Sequence, residues 1–332
     1  MFTLYRTTLA MFCLASVLPL GAQAADVEKP QEAAEASAPA PRPPLLERSQ
    51  DDALALERRV PKAEQQTLQA NGEDFLALWK PANDADPQGV VIIVPGAGES
   101  ADWPTVVGPL RRGFPDVGWG TLSLSLPDLL AERPQARVEA KPAAEPEKAQ
   151  GETAPAKDTP ADANANVAQA TAPEADAAEG SDAVVADAQD GQADAERIFA
   201  RLDAAVAYAQ QQKARSIVLL GNGSGAYWAA SYLSEKQPPQ VQKLVMVAAQ
   251  TPARVEHDLL SLTPTLKVPT ADIYYAVRTQ DRAAAQQRLQ ASKRQRDSQY
   301  RQLSLMAMPG DKASEQEQLL RRVRGWLTPK EE

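Results

Sequence analysis

The sequence predicts an α/β fold: a mostly parallel sheet of about eight strands that opens with an antiparallel hairpin and carries helices on both faces. Three observations lead there. Asn71-Gly72 separates two short strand-like runs, and Asn-Gly is the strongest short-range hairpin signal because both residues accept positive φ. Val90–Val94 (VVIIV) is a continuous apolar run, as expected of a strand buried on both faces. Beyond it, strand-like and helix-like runs alternate to the end of the chain, and right-handed crossovers turn such a series into an open parallel sheet.

The hairpin comprises 65–70 and 73–80, and the first parallel strand is 90–94. A helix is expected over 102–112, with Trp103, Val106, Val107 and Leu110 on one side and Asp102 as its cap. Residues 121–126 form the next strand. A strongly amphipathic helix follows over 193–212, turning Ile198, Leu202, Ala205 and Val206 inward. Then come strand 216–220, helix 225–235, strand 243–248, a short helix near 254–262, strand 271–277, helix 281–296, strand 302–307 and a last helix, 314–327. The outer face of that last helix, with Arg321, Arg322 and Arg324, reads as a solubilising surface.

With 332 residues, 43% of them apolar, the chain can build one large core. A net charge of −9 without a basic stripe excludes nucleic acid as a partner. Arg6, the apolar run Leu9–Leu20 and the small-x-small site Ala22-Gln23-Ala24 read as a secretory signal peptide, residues 1–24, because a spanning helix needs roughly 17–25 apolar residues. The expected location is therefore periplasmic or secreted. The one cysteine, Cys13, falls inside that signal, so the mature chain has neither disulfide nor cysteine nucleophile. No later stretch is apolar enough to span a membrane. Residues 25–48 look like a flexible leader, ahead of a single domain over 49–328. That domain is interrupted over 131–192 by an Ala/Pro-rich stretch with 13 acidic and 5 basic side chains, too polar to offset the entropy of ordering. Its scattered carboxylates suit a solvated linker. It leaves strand 121–126 at the carboxyl end of the sheet, where ligands of such folds bind.

The order of elements resembles the α/β-hydrolase fold over about 60–328, the insertion excepted. Within that fold, VVIIVPGAGESADWPTVV, LLGNGSGA, VPTADIYYA, YRQLSL and LLRRVRGWL resemble a secreted bacterial domain-of-unknown-function family that is itself α/β-hydrolase-like. The resemblance implies a nucleophile elbow in Leu219–Ala230, where a residue in a strained conformation needs small neighbours two positions to either side. Centred on Gly223, those neighbours are Gly221 and Gly225. Centred on Ser224, they are Asn222 and Ala226, a poorer fit. The first register leaves no nucleophile, and Ser224 then follows the tip, with its hydroxyl available to cap the helix. The second makes Ser224 the nucleophile.

The partner half of an oxyanion hole would come from Pro95-Gly96-Ala97-Gly98, whose glycines let backbone N–H groups turn toward a ligand. A tight strand-to-helix turn has the same composition. Candidate ligand-binding residues are thus Gly96, Ala97, Gly223 and Ser224. Hydrolases of this fold take their histidine from the loop after the last strand, which here is Met308–Lys312 and contains none. The single histidine, His257, follows strand 243–248 between two acids, as a solvated residue would. Asp281 follows strand 271–277, either as the acid of a triad or as a helix cap, and Asp272 inside that strand suits a buried structural acid. Candidate catalytic residues are Ser224, His257 and Asp281. No phosphate loop, dinucleotide fingerprint or metal-ligand spacing appears, so no cofactor or metal is expected. Two functions follow: a degenerate hydrolase-like protein that binds a small molecule or a cell-envelope component, or a serine hydrolase of ester or acyl bonds using Ser224 and His257.

Overall fold

The computed structural model describes residues 46–130, 179–296 and 298–328. The expected signal peptide, most of the expected leader and residues 131–178 of the expected insertion lie outside the described residues. Eight strands form one sheet: β1 (Gln65–Ala70), β2 (Glu73–Lys80), β3 (Gly89–Val94), β4 (Trp119–Leu124), β5 (Ile217–Asn222), β6 (Val241–Val247), β7 (Thr270–Tyr275) and β8 (Tyr300–Leu305). Their spatial order is β1-β2-β4-β3-β5-β6-β7-β8. β1 pairs with β2, and β2 with β4, antiparallel; every later pairing is parallel. The hairpin turns at Asn71 and Gly72, both with positive φ (50° and 80°), as the dipeptide predicts.

Among the described residues seven α-helices accompany the sheet: α1 (Arg48–Arg59), α2 (Val107–Gly113), α3 (Glu179–Gln211), α4 (Ser224–Lys236), α5 (Leu259–Leu262), α6 (Thr279–Lys293) and α7 (Lys312–Leu327). Period-two alternation divides the core. In β3, Val90, Ile92 and Val94 join Ile198, Leu202 and Ala205 of α3 and Ala226, Ala229 and Ala230 of α4 on one face. Val91 and Ile93 face Val107 and Leu110 of α2 and Leu319 and Val323 of α7 on the other. This two-sided burial is why VVIIV is continuously apolar.

Local departures from expectation have physical causes. α2 begins at Val107 rather than 102 because Pro104 disfavours a helical conformation at Trp103. Asp102 does not cap it. Asp102 instead accepts hydrogen bonds from Arg111 Nε (3.1 Å) and Arg112 Nη1 (2.7 Å). α3 begins at Glu179, not 193, so the last part of the expected insertion, 179–192, is helical. Its alanines carry the highest helix propensity of any residue. α1 was not foreseen at all: its sequence, RSQDDALALERR, is polar, and only Leu56 is fully buried, against Leu76, Leu78 and Ala101. A capping box between Glu47 and Gln50 starts it. Its Arg48 reaches across to Gly98 O (3.1 Å), so its first turn lies at the carboxyl end of the sheet.

Candidate functional site

β5 runs fully buried to Asn222 and turns sharply into α4. The residue at the turn is Gly223, with φ 55° and ψ −122°. Steric fit fixes this register. A Cβ on Gly221 would sit 2.4 Å from Ala226 Cα, and one on Gly225 would sit 2.3 Å from the carbonyl oxygens of Val94 and Pro95. These are the two positions that must be small when Gly223 is the tip. A Cβ on Gly223 itself would meet only Gly96 Cα, at 3.9 Å. The tip therefore projects into open space, in a conformation that glycine adopts without strain. The turn is held by Gly223 N–H donating to Val247 O (2.9 Å) and by Gly223 O accepting from Gln250 N–H (3.0 Å).

Ser224 is the first residue of α4, not its cap, and it is buried. Its Oγ accepts a hydrogen bond from the backbone N–H of Ala97, at 2.6 Å. The neighbouring donor, Gly96 N–H, gives its bond to Glu99 Oε2 at 2.8 Å. Asn222 Nδ2 lies 2.8 Å from both Glu99 oxygens. The two N–H groups after β3 that sequence reasoning offered to a ligand are thus taken by side chains of the protein itself. Arg48 Nη1 adds a bond to Gly98 O, and its charge is met by Asp52 (2.8 Å) and Asp128 (2.6 Å).

The structure brings Gly96, Ala97, Gly223 and Ser224 together, and among the described residues no hydrogen bond or ion pair joins His257 or Asp281 to them. His257 is 61% exposed, and its charged neighbour is Glu256 at 3.7 Å. No hydrogen bond joins it to Ser224 among the described residues. Asp281 is not a helix cap: Arg278 holds the cap position of α6, and Asp281 lies in the first turn, 3.9 Å from the Arg278 guanidinium. A carboxylate there still opposes the helix dipole favourably. The loop between β8 and α7 contains no histidine. Asp272 is, as expected, a buried structural acid.

Glu99, Asn222 and Arg48 were missed. The tetrad-like spacing from Gly96 to Glu99 gave a faint sign, since a carboxylate three residues on can fold back to a turn N–H. Arg48 gave none, because its contacts with this region, Gly98 O and Asp128, lie fifty and eighty residues away, and its local pair with Asp52 is an ordinary i,i+4 helix pair. Among the described residues no group of three His, Cys, Asp or Glu could hold a metal, and no helix is long and apolar enough to cross a membrane. A cavity of about 260 Å³ bordered by Leu233, Val241, Lys267 and Val268 opens at the starts of β6 and β7, the end of the sheet opposite the elbow.

A family model described as "Protein of unknown function (DUF3530)" matches residues 9–329. No curated protein matches the sequence. Among solved structures, the dienelactone hydrolase from Anabaena variabilis is similar over 79% of this chain and 97% of its own, at 13% identity and a TM-score of 0.50. Est1E from Butyrivibrio proteoclasticus (9% identity, 80% and 97% covered, TM-score 0.48) and an esterase from Pyrococcus furiosus (12%, 80% and 89%, 0.49) are further neighbours. At such identities the likeness speaks to the fold, which is that of the α/β hydrolases.

Proposed function

The chain belongs to the DUF3530 family of proteins of unknown function, and from that premise we propose that it is an exported, non-catalytic binder built on a hydrolase scaffold. Its ligand is a small molecule or a component of the cell envelope. The observation that carries this reading is Gly223 at the elbow tip, φ 55° and ψ −122°, with no side-chain atom to attack a carbonyl. Three facts support it. The adjacent hydroxyl, Ser224 Oγ, is buried and engaged with Ala97 N–H. The one histidine is solvent-exposed, and among the described residues no hydrogen bond joins it to a nucleophile. The two N–H donors after β3, those of Gly96 and Ala97, already have internal partners. Export rests on Arg6, the apolar run Leu9–Leu20 and the Ala22–Ala24 site.

The hydrolytic alternative needs Ser224 to leave Ala97 and His257 to leave solvent and meet it. The test is a fluorophosphonate probe applied to the mature protein. No stoichiometric adduct is expected, for the native protein or for Ser224→Ala. Stoichiometric labelling that disappears in Ser224→Ala would establish a serine nucleophile and end the binder reading. Export is checked by fractionating cells that express the full chain: processed protein outside the cytoplasm is expected, and unprocessed cytoplasmic protein would refute it.

A further inference from the structure

The loop after β3 brings acceptor oxygens to the elbow. In a working oxyanion hole, N–H donors face an incoming negative charge. Here Gly96 N–H is bonded to Glu99 and Ala97 N–H to Ser224 Oγ, so on the β3 side acceptors stand where the loop's donors would be offered. Glu99 brings a formal negative charge, and its hydrogen-bond partners are all neutral: Gly96 N–H and the Asn222 amide. Among the described residues no Lys, Arg or His is paired with it. The nearby cation Arg48 turns its guanidinium to Gly98 O, Asp52 and Asp128 instead. A carboxylate has about four acceptor sites, and the three contacts made by Gly96 and Asn222 leave room for a further donor. Ser224 Oγ, accepting from Ala97, keeps its own proton to donate. Beside these groups, the space that a nucleophile side chain would fill at Gly223 is open.

The same end of the sheet also exposes apolar side chains. Of the five large hydrophobic side chains exposed among the described residues, four stem from segments at this end of the sheet. Leu46 precedes the turn of α1 that grips Gly98, Leu260 lies after β6, Val277 follows β7 and Met306 follows β8. Val277 and Met306 are 69% and 71% exposed and extend from strands joined by the bond from Ala276 N–H to Leu305 O.

From this arrangement we propose that the elbow binds an organic ammonium group carrying an apolar chain, with Glu99 as the counter-charge. The inference rests on the non-catalytic reading above and names the ligand class of that same site. Glu99 sets a full negative charge against the roughly +0.5 of the α4 N-terminus, so the net charge at the elbow favours a cation over an anion.

The probes are octylammonium, octanoate and octanol, alike in chain and different in head group, titrated into the mature protein by calorimetry below their aggregation concentrations. Octylammonium is expected to bind, with octanoate weaker by roughly tenfold or more, the usual effect of losing a hydrogen bond to a charged group. Glu99→Gln keeps an acceptor for Gly96 N–H and removes the charge. It should abolish the preference while leaving the thermal transition near that of the native protein. Equal or tighter binding of octanoate, a preference that survives Glu99→Gln, or no binding of any of the three would overturn the inference. If Glu99→Gln does not fold, the same ranking is read on the native protein at low and high salt: preference for octylammonium should shrink as salt rises, and an unchanged ranking would overturn the inference. The fluorophosphonate assay separates the two claims. An unlabelled protein that fails these titrations loses only the ammonium site, whereas a labelled one loses the binder reading as well.

Discussion

Gly221, Gly223 and Gly225 sit within one turn of chain, yet their missing side chains serve different ends. At Gly221 and Gly225 the neighbours are backbone atoms at 2.3–2.4 Å from a built Cβ, and backbone cannot rotate aside. At Gly223 there is space, and only the backbone angles object. Gly223→Ala should therefore cost about 1–3 kcal/mol of strain. Gly221→Ala and Gly225→Ala should each cost more, at or beyond the top of the roughly 1–3 kcal/mol usual for overpacking. Urea denaturation of the three variants checks the order, with soluble yield as a second readout. If Gly223→Ala proved the most damaging, the steric assignment of the tip would be wrong. This part of the site was legible in the sequence, because small-x-tip-x-small is a local pattern set by one strand and one helix. Glu99 and Ser224 were not legible as partners of the opposite loop. Their bonds join residues 96–99 to 222–224, and no local periodicity encodes which side chain will reach an N–H more than a hundred positions away.

Elements show the same division between local and distant causes. β7 was readable from TADIYY, and so was the burial of Asp272 within it. Its partners were not, because α6 reads as a polar helix while turning Arg288 inward. Asp272 Oδ2 accepts from Arg288 Nε (2.9 Å), from Tyr300 Oη and from Gln302 Nε2 (3.2 Å), and Arg288 Nη2 lies 2.8 Å from it. Asp272 and Arg288 are 0% and 5% exposed. Removing one partner of such a pair strands the other charge, so Arg288→Met should cost about 3–5 kcal/mol. The double variant Asp272→Leu/Arg288→Met removes both charges and should be less destabilised than Arg288→Met alone. Chemical denaturation of the two variants measures this. A loss below 1 kcal/mol for Arg288→Met would show that the ion pair contributes little to holding α6 on β7 and β8. α1 escaped the sequence for a related reason: Leu56 alone anchors it fully, and one buried leucine in twelve residues carries no periodic signal. Leu56→Ala should accordingly cost about 2–5 kcal/mol, and a smaller loss would mean that α1 is held mainly by Arg48 and its acids.

Across the whole molecule, alternation of strand and helix was enough to give the sheet and its order of elements, because those depend on repeated patterns over hundreds of residues. What that pattern could not convey is how the two faces share their ionisable groups. Tyr227, Tyr232, Tyr275 and Tyr300 are spread over α4, β7 and β8, and burial raises the phenol pKa of all four. Tyr227 is pushed up to about 12. Tyr275 also reaches about 12, burial being reinforced by Glu315. Tyr232 and Tyr300 move in the same direction, burial again leading and Asp203 and Asp272 adding to it. The sign of the linkage follows. An unfolded tyrosine loses its proton near pH 10 while the folded ones retain theirs, so the native state binds more protons above that point. Stability from these groups is complete below about pH 10 and falls as pH climbs through the folded values. The urea midpoint should therefore hold between pH 8 and 9.5 and decline increasingly steeply toward pH 12. A net charge of −9 adds general repulsion at high pH, which a single curve would not separate from the tyrosines. Tyr275→Phe separates them: it changes no charge at neutral pH and deletes one titrating phenol, so its alkaline decline should be shallower than that of the native protein. Parallel declines would assign the loss to overall repulsion and remove Tyr275 from the account.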